Sequence, residues 1–422
     1  MLFAWLISLL SLIFSFSLYA EPLQLKVQAE AAILFNPDNG AILYEKNIHD
    51  LHYPASTVKI ATALYALQQR GDRLDDQIIA DQEAIGWVTE EAKRRSNYSI
   101  ASYLLVPGST HIGIKKGEIL TLRDLLYGMM LASGDDASNV IAQHISGSIP
   151  KFVEELNQFL QQIGCKDTTF YNPHGLHHPN QQTSAYDLAI LTREALKNPL
   201  FREIVSTPRY TRPKTNKQEA TTLIQSNKLL RSGQFYYPKA IGVKTGHLSL
   251  ARNTFVGAAK DGERTLIAVL LKTDERKDIF LDSVKLFEAA FNQPKVQRTL
   301  LKAGPQKFAL EIRGANKPLQ TFIQEDIKIE YYPAEEPRLK SYLQWDAVKL
   351  PVAKNQKVGE LSLKDSNGNE IKKVPLYALE EMKETWLQRV KNAIINSGWY
   401  LKVLGLAVIL LFLGLFIFQL RR

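Results

Sequence analysis

Cysteine is almost absent from this chain of 422 residues, which carries only Cys165. A single thiol excludes an intramolecular disulfide and a zinc site built from cysteines, and it reads as a buried, inert residue. Acidic side chains are outnumbered, 43 Asp and Glu against 52 Lys and Arg, giving a formal charge of +9. That balance suits nucleic acid or an anionic surface, and composition alone does not choose between them. Internal repeats and low-complexity segments are missing too, so the sequence gives no sign of a repeat array. What is present is ordinary: 45% hydrophobic and 23% charged residues exclude wholesale disorder. At roughly 150 residues per domain, the length predicts two to three domains with a core that needs no staples.

The two ends set the compartment. Leu2 to Ser17 is apolar apart from serines, and Ala20 precedes Glu21-Pro22. This predicts a signal peptide over residues 1–20, or an uncleaved anchor, because no Lys or Arg precedes the run and Leu18 is large for its place. Both readings export the next segment. At the far end, Val403 to Phe418 has no polar side chain, and 399–420 is long enough to cross ~30 Å of hydrocarbon. Trp399 and Tyr400 stand where interfacial aromatics belong, and Arg421-Arg422 follow as a positive stop. A C-terminal membrane helix is predicted over 399–420. Before it, Met382, Trp386, Val390 and Ile394 recur at spacing four, with Lys383, Arg389 and Lys391 between them. The pattern predicts an amphipathic helix over 379–398, lying on a membrane surface or against the protein body. From Met382 onward, Lys383, Arg389, Lys391, Lys402, Arg421 and Arg422 oppose Glu384 alone, so this tail supplies five of the nine net positive charges. Membrane anchoring then explains most of the basic balance, and nucleic acid is not expected as a partner.

Between the ends, Ala31 to Lys46 reads as strand, turn, strand around Asn36-Pro37-Asp38-Asn39-Gly40. Ser56 to Arg70 has helical periodicity, closed by Gly71. Leu120 to Ile145 carries two helical stretches interrupted at Ala132-Ser133-Gly134-Asp135. Ala240 to Val243 and Asn253 to Ala259 read as strands flanking a turn, followed by a third strand from Thr265 to Leu271. Helices between early and late strands predict one mixed α/β domain. Beyond Pro294 short alternating runs (PQKFALEIR, DIKIEYY, AVKLPV, KVGELSLK, KKVPLYAL) predict a small all-β domain over 297–378.

Three short motifs carry the chemistry: Ser56-Thr57-Val58-Lys59, Ser133-Gly134-Asp135 and Lys244-Thr245-Gly246. Ser-x-x-Lys at the start of a helix puts both side chains on one face about one turn apart. The lysine can act as base toward the serine if burial and a nearby cation such as Lys244 lower its pKa. Ser133 would pass a proton to the leaving amine, and an oxyanion hole would come from the N–H groups of Ser56 and His247. Each motif alone is weak and reads more readily as a helix cap or a strand-end turn; the ordered trio is much stronger.

With these motifs the chain resembles the low-molecular-mass penicillin-binding proteins that are D-alanyl-D-alanine carboxypeptidases, peptidase family S11. The segments EAAILFNPDNGAILYEKN, PASTVKIATAL, LTLRDLLYGMMLASGDDASNVIA, YNPHGLHHPNQQTSAYDLAIL and IGVKTGHLSLARNTFVGAA carry the likeness. The resemblance implies a β-lactamase/transpeptidase-like serine acyl-enzyme domain over 21–296, followed by the β-rich domain and the anchor. It implies Ser56 as acylated nucleophile, Lys59 as base and Ser133 as proton relay. Lys244, Thr245, His247, Asp135 and Arg276 become substrate-binding residues, with Arg276 gripping a terminal carboxylate. Peptidoglycan stem peptides are the implied substrates and β-lactams covalent inhibitors; no cofactor and no metal are expected. The implied activity is removal of the terminal D-Ala from stem pentapeptides, on the extracytoplasmic side of the membrane.

Departures from the pattern qualify this reading. Asp135 replaces an asparagine, and its charge is expected to pair with Lys59 or Lys244 and raise their pKa values. Leu248 stands where a small hydroxyl residue is expected. Residues 84–113, with Glu90, Glu91, Lys93, Arg94 and Arg95, look longer than the family segment and read as an exposed edge of the cleft. A class A β-lactamase is disfavoured, because Ile163 to Tyr186 holds no counterpart of its deacylating Glu-x-x-Leu-Asn loop. An endopeptidase acting on wall crosslinks and a peptidoglycan-binding scaffold without turnover stay open. His174, His177 and His178 flank a Gly-Leu turn without the spacing of a zinc helix, and Arg209 to Lys217 reads as a solvated loop.

Overall fold

The structure is a computed structural model that describes residues 22–365, 368–396 and 398–420. The expected signal peptide, 1–20, lies outside the described residues. The described chain divides into two units: residues up to Pro294 together with Pro333–Glu335, and the stretches Lys295–Tyr332 and Glu336 onward.

The first unit is built on a five-stranded sheet: β1 (Ala31–Phe35), β2 (Ile42–Lys46), β3 (Ala240–Leu248), β4 (Arg252–Asp261) and β5 (Arg264–Thr273), in the order β2-β1-β5-β4-β3. Every neighbouring pair is antiparallel. Both faces are covered, which is why β1 reads AAILF without alternation and is buried throughout. Strand periodicity sends Ala31, Ile33 and Phe35 into one core and Ala32 and Leu34 into the other.

The larger core surrounds α1 (Val58–Arg70), in which Val58 to Leu64, Ala66 and Leu67 are all buried. A helix apolar on nearly every side has to run through an interior, and Ala61, Ala63 and Ala66 let its neighbours approach. The helix does not begin at Ser56: a 3₁₀ turn, Ala55–Thr57, leads into it. The two helices α2 (Leu122–Leu131) and α3 (Asp135–Ser146) follow the expected interruption. Thr121 and Asp124 cap α2 reciprocally, and α3 ends at Gly147 with φ +81°.

Strand β3 departs from expectation. It continues through Lys244-Thr245-Gly246-His247 to Leu248, paired throughout with β4, whereas the sequence suggested a strand ending at Val243. The polar residues and glycine read as a turn, but the ladder to β4 carries them on, and β3 is the edge of the sheet. Arg209 to Lys217 also differs, since Arg209–Arg212 is a strand and Arg212 is 1% exposed beside Glu118.

Pro333–Glu335 is held in the first unit by charge. The Glu335 carboxylate accepts hydrogen bonds from Asn36 Nδ2 at 2.9 Å and Asn39 Nδ2 at 3.2 Å, and pairs with the buried Arg264 guanidinium. Glu335→Gln puts a neutral amide opposite that guanidinium. It is expected to cost about 3 kcal/mol, read as a lower urea midpoint with unchanged slope.

Among its described residues the second unit is all-β apart from a 22-residue helix and a shorter one before it. Val296–Leu301 pairs with Ile327–Tyr331, and a five-stranded sheet runs Gly304–Leu310, Leu319–Ile323, Glu370–Ala378, Lys357–Lys364, Lys340–Trp345. AVKLPV is no strand: Pro351 has no N–H to give, and only Val352 bridges, to Met382. That bridge corrects the amphipathic helix as well. Met382 is 1% exposed among Leu319, Val358 and Ala378, and the helix begins at Trp386 and runs to Asn396. Trp386, Leu387 and Val390 are exposed on it. Trp399–Leu420 is helical, but the described side chains in it span only 401–413. Among the described residues, no helix is long and apolar enough to cross a membrane.

Candidate active site

Ser56 stands in the turn before α1, behind Ala55, which is held at φ +49°. Thr57 Oγ1 and Thr254 Oγ1 both donate to the carbonyl of Pro54, at 2.7 and 3.1 Å, fixing that turn against β4. One turn along α1, Lys59 is wholly buried. Its ammonium donates to Ser56 Oγ at 3.0 Å, to Asp135 Oδ1 at 2.6 Å and to the carbonyl of His174 at 2.7 Å. Three acceptors saturate its three N–H groups.

Ser133 lies between α2 and α3 at φ +63°, a left-handed conformation that costs a non-glycine residue on the order of 1–3 kcal/mol. This places its hydroxyl to accept from Lys244 Nζ at 3.1 Å. Lys244 is also wholly buried and donates to the carbonyl of Thr245 at 3.0 Å. Burial, reinforced by the Lys59 charge, holds the Lys244 pKa well below the ordinary lysine value.

Asp135 pairs directly with Lys59, and its charge acts on Lys244 only from a distance. Its charge pushes the Lys59 pKa up, as expected, but burial outweighs that push and the net direction is down. Asp135 itself, expected as a substrate contact, is 3% exposed and bonded to Lys59.

Gly246 brings the edge of β3 against the nucleophile. A Cβ there would stand 2.9 Å from Ser56 N and 2.3 Å from Thr254 Oγ1. The next residue, His247, is exposed, with Nδ1 3.2 Å from Asn253 Oδ1. Thr245 Oγ1 donates to Ser226 Oγ at 2.9 Å. Ser56, Lys59, Ser133, Asp135, Lys244 and Thr245 therefore converge, with His247 one step along the strand. Arg276 makes no such contact: it is exposed in the turn after β5, and its charge acts on Lys244 from a distance. Leu248 packs with Leu105, Val106 and Leu176 in a small apolar cluster.

Several contributors had no role assigned from sequence. Ser226 is one. The loop at Asn172–Leu176 is another, because the His174 carbonyl receives Lys59. The His174 ring is fixed by accepting from Leu176 N at 3.1 Å on Nδ1 and donating from Nε2 to the Tyr103 carbonyl at 3.1 Å. That pattern is a neutral imidazole, and burial together with Lys59 keeps its pKa well below the usual histidine value. His178 stacks on Tyr171 with ring centroids 4.0 Å apart, and His177 meets Tyr53 and Tyr98 edge-on. Among the described residues no cluster suits a metal ion.

Glu91, Arg94 and Arg95 are exposed, as expected of their segment, but Lys93 is not. From the short helix Glu90–Arg95 it turns inward, 2% exposed, and donates to the carbonyls of Ser102 at 3.3 Å and Leu104 at 2.6 Å. Those carbonyls flank Tyr103, which receives His174 and Asn139. Cys165 is buried, its Sγ donating to the Asp187 carbonyl, and burial pushes its pKa up, away from reactivity. A cavity of about 650 Å³ lies apart from this chemistry, in the second unit, lined by Leu300, Phe308, Leu343 and Trp345 among others.

A serine held by a buried lysine, with a second lysine facing it across a serine, is the arrangement of a serine acyl-enzyme. Residues 19–275 match the D-alanyl-D-alanine carboxypeptidase family, Peptidase S11, and residues 297–384 match the C-terminal domain of penicillin-binding protein 5. The chain belongs to the D-alanyl-D-alanine carboxypeptidase family. It is 31% identical over 374 residues to the D-alanyl-D-alanine carboxypeptidase DacF of Bacillus subtilis, covering 87% of this chain and 90% of that one. With DacD of Escherichia coli it shares 28% identity over 365 residues, 85% of this chain and 88% of the other. Among solved structures, penicillin-binding protein 6B from Escherichia coli superposes with a TM-score of 0.59 at 26% identity, covering 85% of this chain and 97% of that one.

Proposed function

We propose that this protein is a serine D,D-carboxypeptidase that removes the terminal D-Ala from peptidoglycan stem pentapeptides through an ester on Ser56. The observation that carries the reading is the contact of Lys59 Nζ with Ser56 Oγ at 3.0 Å, opposite the Lys244–Ser133 pair. Ser56 Oγ attacks the carbonyl carbon of the penultimate D-Ala as its proton passes to Lys59. The oxyanion is received by the N–H groups of Ser56 and His247; the close approach of Gly246 to Ser56 N supports this. Ser133, on Lys244, returns a proton to the departing amine. Thr245 and Arg276 take the substrate's terminal carboxylate, the exposed guanidinium swinging in from the turn after β5. Water then hydrolyses the ester. No cofactor enters, and a β-lactam traps the same serine.

The anchoring elements complete the proposal. An amino-terminal signal over 1–20 exports the chain, Trp386, Leu387 and Val390 meet the membrane surface, and 399–420 spans it. The catalytic unit then works on the extracytoplasmic side.

Incubation with a pentapeptide ending in D-Ala-D-Ala, read by mass spectrometry, tests the activity. Loss of one alanine supports it; an unchanged pentapeptide with folded protein contradicts it. Asp135 gives the scaffold reading its support, and that reading predicts no covalent capture of penicillin.

A further inference from the structure

A lysine ammonium that donates to three acceptors has no lone pair for the serine proton, so Lys59 must first lose a proton. Lys59 is 0% exposed, which makes direct loss to solvent difficult. The second motif places a carboxylate within reach, Asp135 Oδ1, at 2.6 Å from Lys59 Nζ. The adjacent Asp136 differs, because its carboxylate accepts from the backbone N–H groups of Ile112 at 3.1 Å, Ile114 at 3.0 Å and Ala137 at 2.9 Å.

We infer that Asp135 takes up the proton Lys59 must shed, so that the base is generated inside the site by transfer along this contact. The inference rests on the reading of Ser56 as nucleophile and Lys59 as base. In the transfer an N–H bond on Lys59 breaks and an O–H bond on Asp135 forms, turning ammonium and carboxylate into amine and carboxylic acid. Rotation about the Cε–Nζ bond then presents the lone pair to Ser56 Oγ. Its proton moves to Nζ as Oγ bonds to the substrate carbonyl, and no co-reactant is needed.

The surroundings favour a neutral pair. Burial pushes the Asp135 carboxyl up and Lys59 down, and an ion pair in so dry a place gains little over its neutral tautomer. Facing the pair are Asp136 on α3, whose charge opposes a second carboxylate, and Lys244 on β3, which favours it. The amino end of α3 favours the carboxylate as well. Lys93 and the buried, neutral His174 complete the shell, and Arg276 reaches it through Lys244. Such a pair titrates as a unit.

The pH profile of acylation by a chromogenic β-lactam separates this role from simple charge pairing, because the two predict opposite signs. With Asp135 as acceptor, wild type keeps a neutral Lys59 fraction down to the carboxyl titration. Asp135→Asn, which must release the proton to water, then loses acylation at higher pH. The expected shift of the acid limb is on the order of one pH unit, about tenfold in rate at mildly acidic pH. Asp135→Glu, which keeps a carboxyl group, is expected to retain the wild-type limb. A limb in Asp135→Asn that moves to lower pH, or does not move, overturns the inference, since the carboxylate then only keeps Lys59 charged. If Asp135→Asn does not fold, Asp135→Ser carries the same comparison. Acylation in no form at any pH would remove the Ser56 reading and this inference with it; a wrong-way shift strikes the inference alone.

Discussion

Ser56→Ala is expected to lower D-Ala release by on the order of 10⁴-fold or more, with the fold intact. The reason is local. Lys59 Nζ, 3.0 Å from Ser56 Oγ, has its other donors committed to Asp135 and to the His174 carbonyl, so it is placed to deprotonate that oxygen and no other. Ser133 cannot substitute, since its hydroxyl is turned to Lys244. Removing Oγ leaves the N–H groups proposed to bind the oxyanion, which keep only a residual activity over water. Because Ser56 is half-buried in a short turn and its loss opens little space, thermal unfolding should move by a few degrees at most. Steady-state release of D-Ala beside a melting curve checks both halves.

Gly175→Ala is expected to cause the next largest loss, for a steric reason. Gly175 sits at φ +98°, and a Cβ there would stand 1.9 Å from the Ala55 carbonyl oxygen and 3.0 Å from Ser56 N. Its N–H is also fixed, donating to Asn172 Oδ1 at 2.7 Å. The added methyl therefore cannot be relieved by a side chain; backbone must move, and the nearest backbone carries the nucleophile. A misplacement of about 1 Å there costs on the order of 10²-fold in rate. Strain of about 1–3 kcal/mol should also appear as lower stability. Gly147→Ala is the control. It has a similar φ, +81°, but open space around it, so it should lose stability without losing turnover.

The contrast shows what the sequence could and could not disclose. Ser56, Lys59, Ser133 and Lys244 were legible because each stands in a short motif whose residue types have one chemistry in common, and helical spacing alone joins the first two. The hairpin Ala31 to Lys46 and the break between α2 and α3 were legible from turn residues. Gly175 was not, because its necessity lies in the approach of Ala55, far away in sequence. Lys93 was hidden in a run of charges, EEAKRR, that has the composition of a solvated helix; only the fold turns it inward onto the 102–104 carbonyls. The extent of β3 was missed because pairing with β4, not propensity, makes Lys244 to Leu248 a strand. Met382 was drawn into a helical pattern by its spacing from Trp386, whereas its burial beside Val358 decides its place.

The Asp135 pairing with Lys59 and the upward push of its charge were legible; that burial outweighs this push was not, because burial is a quantity that one sequence does not display.

Intact-mass measurement of the protein after brief exposure to benzylpenicillin, with peptide mapping of the product, tests the central claim most directly. The account predicts one covalent penicilloyl group, attached to Ser56 and absent from Ser56→Ala. Folded protein that gains no mass, or that carries the group on another residue, would contradict it.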